Sequence, residues 1–252
     1  MSSEVILEAL GLSRSFGGVK AVDDVSFTLH KNEVLGVIGP NGSGKTTLVN
    51  LLTGFVKPSR GQVLYQGRDI TGWPPYKVAQ LGIARSFQMV KPFYQLPAFK
   101  NLNVALYSPR VRGLTGGGYG DRDAVAKDLL EEVGFERDSW VINQQAASLP
   151  HGYLKRLELA KCMALRPEVL VLDELFSGLS LAEVASLVPV IEKLVAQGKT
   201  LLMIEHRLKE LFRIADRVIV LNFGRKIAEG EPAVVMEDPQ VKGAYLGTEA
   251  EG

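Results

Sequence analysis

Short apolar runs recur along the chain at 5–9, 25–29, 34–38, 61–65, 83–87, 169–172, 200–204 and 217–221, and each predicts a β-strand. Several, such as Val34-Leu35-Gly36-Val37-Ile38, are apolar throughout, as expected of strands buried on both faces. A longer period governs 181–197. There Val184, Leu187, Val188, Ile191, Leu194 and Val195 recur at helical spacing and predict an amphipathic helix. Ser180 and Glu183 form a capping box at its start, and Gly198 ends it. Helical patterns also fit 45–52, 100–106, 122–133 and 152–164, with a short one at 239–246. From 89 to 161 the strand signal stops. The pattern predicts a single α/β domain over 1–252 with a mostly parallel sheet. Residues 1–88 and 162–252 form its core, and 89–161 form an inserted helical subdomain. An antiparallel β addition is expected from the N-terminal strands and 61–65. The glycine cluster at 113–120 has no periodicity and predicts a mobile surface loop.

Composition narrows the class. The chain has 252 residues, 46% apolar and 23% charged, which excludes disorder. One cysteine, Cys162, excludes a disulfide-built scaffold; it is expected as a small buried hydrophobe on the 152–164 helix. A net charge of +1 gives no ground for binding nucleic acid or anionic lipid through bulk charge. The apolar runs fall far short of the roughly 20 residues of a spanning helix. No signal peptide is visible at the N-terminus. The expectation is a soluble cytoplasmic protein that reaches a membrane only through a partner.

Two motifs carry chemistry. Gly39-Pro40-Asn41-Gly42-Ser43-Gly44-Lys45-Thr46 fits G-x-x-x-x-G-K-[ST] at every fixed position, with Thr47 counted in the binding set. The glycines let successive N–H groups turn inward on phosphate oxygens, and the following helix adds its positive end. Lys45 would reach the β- and γ-phosphates and Thr46 would hold Mg²⁺. The second motif is Val169-Leu170-Val171-Leu172-Asp173-Glu174, an apolar strand ending in two carboxylates. Asp173 would hold Mg²⁺ through water, and Glu174 would act as general base on the attacking water.

Together these residues resemble the ATP-binding subunits of ABC transporters, over nearly the whole chain. The resemblance implies a P-loop NTPase core, ATP and Mg²⁺ as cofactors, and ATP hydrolysis coupled to transport. Gln88 matches the family's Q-loop glutamine, which senses Mg²⁺ and water and contacts the membrane subunit. His206 matches the switch histidine on the γ-phosphate. Phe16 sits where the family places an aromatic ring under the adenine, and 177–180 match the D-loop. The segments at 69–75, 81–88 and 204–208, and the end at 238–247, resemble branched-chain amino-acid uptake systems. The ATPases of lipopolysaccharide export share the tail pattern. Implied partners are membrane permease subunits and a second ATPase subunit, identical or paralogous, with an indirect link to a solute-binding protein. The implied location is peripheral, on the inner face of the cell membrane.

One motif departs from the family. Its signature, Leu-Ser-Gly-Gly-Gln, reads Leu149-Pro150-His151-Gly152-Tyr153 here, while 155–160 fit well. The lost serine would donate to a γ-phosphate across a dimer interface; proline has neither hydroxyl nor N–H. His151 is a candidate substitute donor. Two readings stay open: a working variant, or a subunit with an impaired signature in an asymmetric heterodimer.

Overall fold

The computed structural model describes residues 4–116, 118, 120–137 and 139–249, without the side chains of 246–249. The elements in chain order are β1 Val5–Phe16, β2 Val19–His30, β3 Val34–Ile38, α1 Lys45–Leu52, β4 Arg60–Tyr65, β5 Arg68–Asp69, α2 Pro75–Leu81 and β6 Ile83–Arg85. Then follow α3 Asn103–Leu106, α4 Pro109–Leu114, α5 Arg122–Glu132, α6 Trp140–Asn143, α7 His151–Ala164, β7 Val169–Asp173 and α8 Leu181–Ala196. The chain ends with β8 Thr200–Ile204, α9 Leu208–Ile214, β9 Arg217–Asn222, β10 Arg225–Gly230, α10 Pro232–Val235 and α11 Pro239–Glu249.

Two compact units result: Met1–Val78 with Gly198–Gly252, and Ala79–Gln197. In the first unit, β2, β1, β4 and β5 form an antiparallel sheet in that order. Beside it run β10, β9, β3 and β8, with β9, β3 and β8 parallel and β10 antiparallel. All five residues of β3 are buried. That explains its unbroken apolar run and places Gly39 at the carboxyl end of an inner strand.

In the second unit β6 pairs parallel with β7, whose five residues are also buried. Leu102, Leu106, Leu130, Leu157 and Leu159 form the helical core and are fully buried. Ser180 and Glu183 make the capping box of α8. Cys162 is buried, and burial pushes its thiol well above the ordinary range.

Several boundaries differ from the pattern. β1 and β2 run twice as far as 5–9 and 25–29, because cross-strand pairing carries them through polar residues. The strand expected at 83–87 ends at Arg85. The helix expected at 100–106 starts as a 3-10 turn, Phe99–Leu102, before α3. Gly113, expected in a loop, closes α4 with Leu114; positions 117 and 119 of that loop lie outside the described residues.

Candidate functional site

The first unit carries the phosphate loop. Gly39 (φ 147°) and Gly44 (φ 104°) lie in the region that favours glycine. A Cβ on Gly39 would strike the Leu221 carbonyl, and one on Gly44 the Ala21 carbonyl. Only glycine fits at either place. Gly44 caps α1 with no side-chain hydrogen bond, and the first turn carries no acid. The helix therefore presents its positive end to whatever sits in the loop.

Lys45 is buried, and its Nζ donates to the carbonyls of Gly39 (2.7 Å) and Pro40 (2.9 Å). The Ser43 hydroxyl is buried with no hydrogen-bond partner among the described residues. Asn41, Gly42 and Thr46 are exposed, Pro40 and Thr47 half-buried. An orphaned buried hydroxyl, an uncapped helix start and a cradle that no Cβ could share fit a phosphate ligand.

Tyr245 from α11 also reaches the loop. The backbone of Gly39 hydrogen-bonds its oxygen, and burial pushes the phenol up to about 12. Phe16 closes β1 with its ring 45% exposed, enough to stack on a planar base; the Arg14 guanidinium lies 5.0 Å from its centre. His206 follows β8, exposed, and Leu208 N–H donates to its carbonyl.

The second unit carries the carboxylates. Asp173 ends β7, and its backbone N–H donates to the Ser86 hydroxyl at 3.1 Å. Arg85 Nη2 donates to Asp173 Oδ2 at 2.7 Å, and both side chains are more than nine-tenths buried. Glu174 takes a left-handed backbone, φ 51°, which is strained for a residue with a Cβ. Gln88 Nε2 donates to Glu174 Oε2 at 2.7 Å, so two expected site residues meet. Lys155, fully buried on α7, donates to the carbonyls of Gln88 (2.9 Å) and Glu174 (3.1 Å).

The departed signature starts α7. Pro150 is its N-cap without a side-chain bond, and His151 is exposed. A Cβ on Gly152 would lie 2.5 Å from Glu183 Oε1, and one on Gly178 3.0 Å from His151 Nε2. Glu183 accepts from the Ser180 N–H (2.8 Å) and hydroxyl (2.7 Å). These bonds, and beyond them the His151 charge and the Gly152 N–H, hold its carboxyl below the usual range.

Sequence patterns missed Arg85, Ser86, Lys155 and Tyr245. Lys155 alone left a signal. It stands on the stripe of α7 that includes Gly152, Leu159 and Cys162, where a charged residue breaks a buried face.

Comparison with known proteins places this geometry. Residues 22–177 match the ABC transporter family model, and 225–251 match that of the branched-chain amino acid ATP-binding cassette transporters. The chain is 38% identical, over 97% of its length and 99% of the relative's, to BraF of Pseudomonas aeruginosa, a high-affinity branched-chain amino acid transport ATP-binding protein. It is 37% identical with the same coverage to LivG of Escherichia coli K12, named likewise. It matches the ADP conformation of an ATP-binding cassette of an ABC transporter at TM-score 0.81 and 31% identity, over 96% of this chain and 99% of that one. The fold is that of a P-loop NTPase. The chain belongs to the ABC transporter family as an ATP-binding subunit, an ATPase close to those of branched-chain amino-acid transport.

Proposed function

We propose that this chain powers an importer of branched-chain amino acids or related small polar solutes. The observation that carries the cargo class is the match of 225–251 to the branched-chain model, beside relatives of that name matched from end to end. Permease and solute-binding protein choose the cargo, and this chain supplies the energy. It sits on the inner face of the membrane through the permease; no helix among the described residues is long and apolar enough to cross one. Residues 1–252 act as one cassette, with 1–88 and 162–252 as nucleotide core and 89–161 as helical subdomain. Two cassettes pair, as a homodimer or with a paralogue.

Each residue then has a task. Bound ATP supplies the phosphoanhydride to be cleaved. The N–H groups of the 39–47 loop hold its phosphates, and Lys45 exchanges its two carbonyl partners for β- and γ-phosphate oxygens. Phe16 stacks under the adenine. In this reading Thr46 and, through water, Asp173 would hold Mg²⁺, which would neutralise charge on the phosphates. The Glu174 carboxylate takes the proton of the attacking water, Gln88 orients that water and would sense the metal, and His206 contacts the γ-phosphate. Met89, Phe93, Tyr94 and Leu96, exposed, and Phe99, half-buried, follow Gln88 in the chain and offer the permease an apolar seat.

The test is reconstitution in vesicles with the permease and solute-binding protein. ATP-driven uptake of leucine, isoleucine or valine is expected, and it should vanish in Glu174→Gln. ATP hydrolysis without uptake of any of the three would refute branched-chain amino acids as the cargo. Pro150 favours a second reading, an asymmetric heterodimer in which only the site built on this chain's Glu174 turns over. In that case Glu174→Gln abolishes ATPase activity while the matching change in the partner spares it. Equal losses would dismiss the asymmetry.

A further inference from the structure

Lys155 is among the largest fully buried side chains in the protein. Burying an ammonium costs several kcal/mol unless polar partners surround it. A lysine in such a place is there for what it holds. Its Nζ donates to two backbone carbonyls, those of Gln88 and Glu174, which are 86 residues apart in sequence. The same two residues are joined through their side chains, amide to carboxylate, at 2.7 Å. Backbone and side-chain links thus close a circuit around the pair that handles water.

The Glu174 carbonyl is the sensitive point. Its residue is held at φ 51°, a conformation that reverts unless its surroundings enforce it. Two donors enforce it: Ser177 N–H at 3.1 Å and the Lys155 ammonium at 3.1 Å. The direction in which the Glu174 carboxylate points follows from that turn. Lys155 belongs to α7, one turn beyond Gly152, so it moves with the helix that starts at the departed signature.

We propose that Lys155 is a positioning residue for hydrolysis: its ammonium clamps the backbones of Gln88 and Glu174 to α7, so the aim of the general base depends on where the signature helix stands. The proposal rests on the reading of Glu174 as general base. It also gives the 149–153 segment a task inside its own chain, independent of whether Pro150 can serve a partner's nucleotide. A shift of α7 by a fraction of an ångström is passed to both water-side residues, and a misplacement of about 1 Å at such a group costs up to about 10²-fold in rate.

The test uses the full chain with its permease and partner subunit. Lys155→Met removes the ammonium and both its hydrogen bonds at similar volume, Lys155→Gln keeps a shorter donor, and Lys155→Arg keeps the charge. In Lys155→Met, kcat for ATP should fall about tenfold or more with KM within about threefold, because the bonds of Lys155 go to Gln88 and Glu174 and not to the 39–47 loop. Lys155→Arg should recover part of kcat. Adding Glu174→Gln to Lys155→Met should cost much less than Glu174→Gln costs the wild type, since the two act as a unit. A wild-type kcat in Lys155→Met, or equal losses of kcat and ATP affinity with multiplicative double-variant effects, would overturn the proposal. Failure of both Lys155→Met and Lys155→Gln to fold would also overturn it, by making the residue a packing element. A wild type without ATPase activity, or a fully active Glu174→Gln, would remove the general-base reading itself.

Discussion

Arg85→Met tests how the acidic end of β7 is held. In the wild type the guanidinium donates to Asp173 Oδ2 at 2.7 Å, with side-chain exposures of 6% and 3%. Methionine fills similar space but leaves the carboxylate buried without its cation. Breaking one partner of a buried pair costs about 3–5 kcal/mol, against about 0–1 kcal/mol for a surface pair. Urea unfolding followed by circular dichroism should show a midpoint lower by roughly 1–2 M, for a slope of about 2–3 kcal/mol/M. The double variant Arg85→Met/Asp173→Asn removes the orphan charge and should recover most of the loss, since the neutral pair no longer needs neutralising. A loss under about 1 kcal/mol in the single variant, or strictly additive losses in the double, would refute the claim that the pair is buried and coupled.

Three further outcomes are expected. Lys45→Ala should weaken ATP binding by at least about tenfold in calorimetry, since it deletes the charge on the β/γ-phosphates; equal affinity would refute the phosphate-loop assignment. Phe93→Asp should fold normally yet lose co-purification with the permease, because the ring is 48% exposed and not core; full yield would move the docking seat elsewhere. Glu183→Gln should lower the melting temperature at pH 7, since the Glu183 carboxyl sits below its ordinary range in the fold. A depressed carboxyl stabilises above its unfolded pKa and loses that contribution as pH falls, so the gap to wild type should close below about pH 4; a gap independent of pH would rule the charge out as its cause.

What could be read from sequence follows a physical divide. The turn from β3 into α1 was legible because its glycines stand in one contiguous run between a buried strand and a helix start. The end of β7 at Asp173 was legible because the strand is buried throughout and stops at its first charge. The full length of β1 and β2 was not, because Ser13, Arg14 and Lys20 break the apolar pattern. Pairing between the strands, with register shifts from Ala9 to Ser15, overrides it. The partners of Arg85 and Lys155 were invisible because they lie 88, 67 and 19 positions away. Only folding reveals which carbonyl or carboxylate an isolated basic residue serves.

The segment 149–153 bears on how such motifs drift. Of the five letters the signature prescribes, the two kept here are Leu149 and Gly152. Leu149 is buried at 6% exposure, and Gly152 has Glu183 where a Cβ would stand. The three that changed face outward or have other work: Pro150 and His151 are exposed, and Tyr153 packs its ring 4.9 Å from that of Phe135. The retained letters are those the chain needs to fold by itself. A pentapeptide thus answers first to the packing inside its own subunit. Packing alone preserves a recognisable remnant, so counting surviving letters measures foldability before it measures catalytic competence.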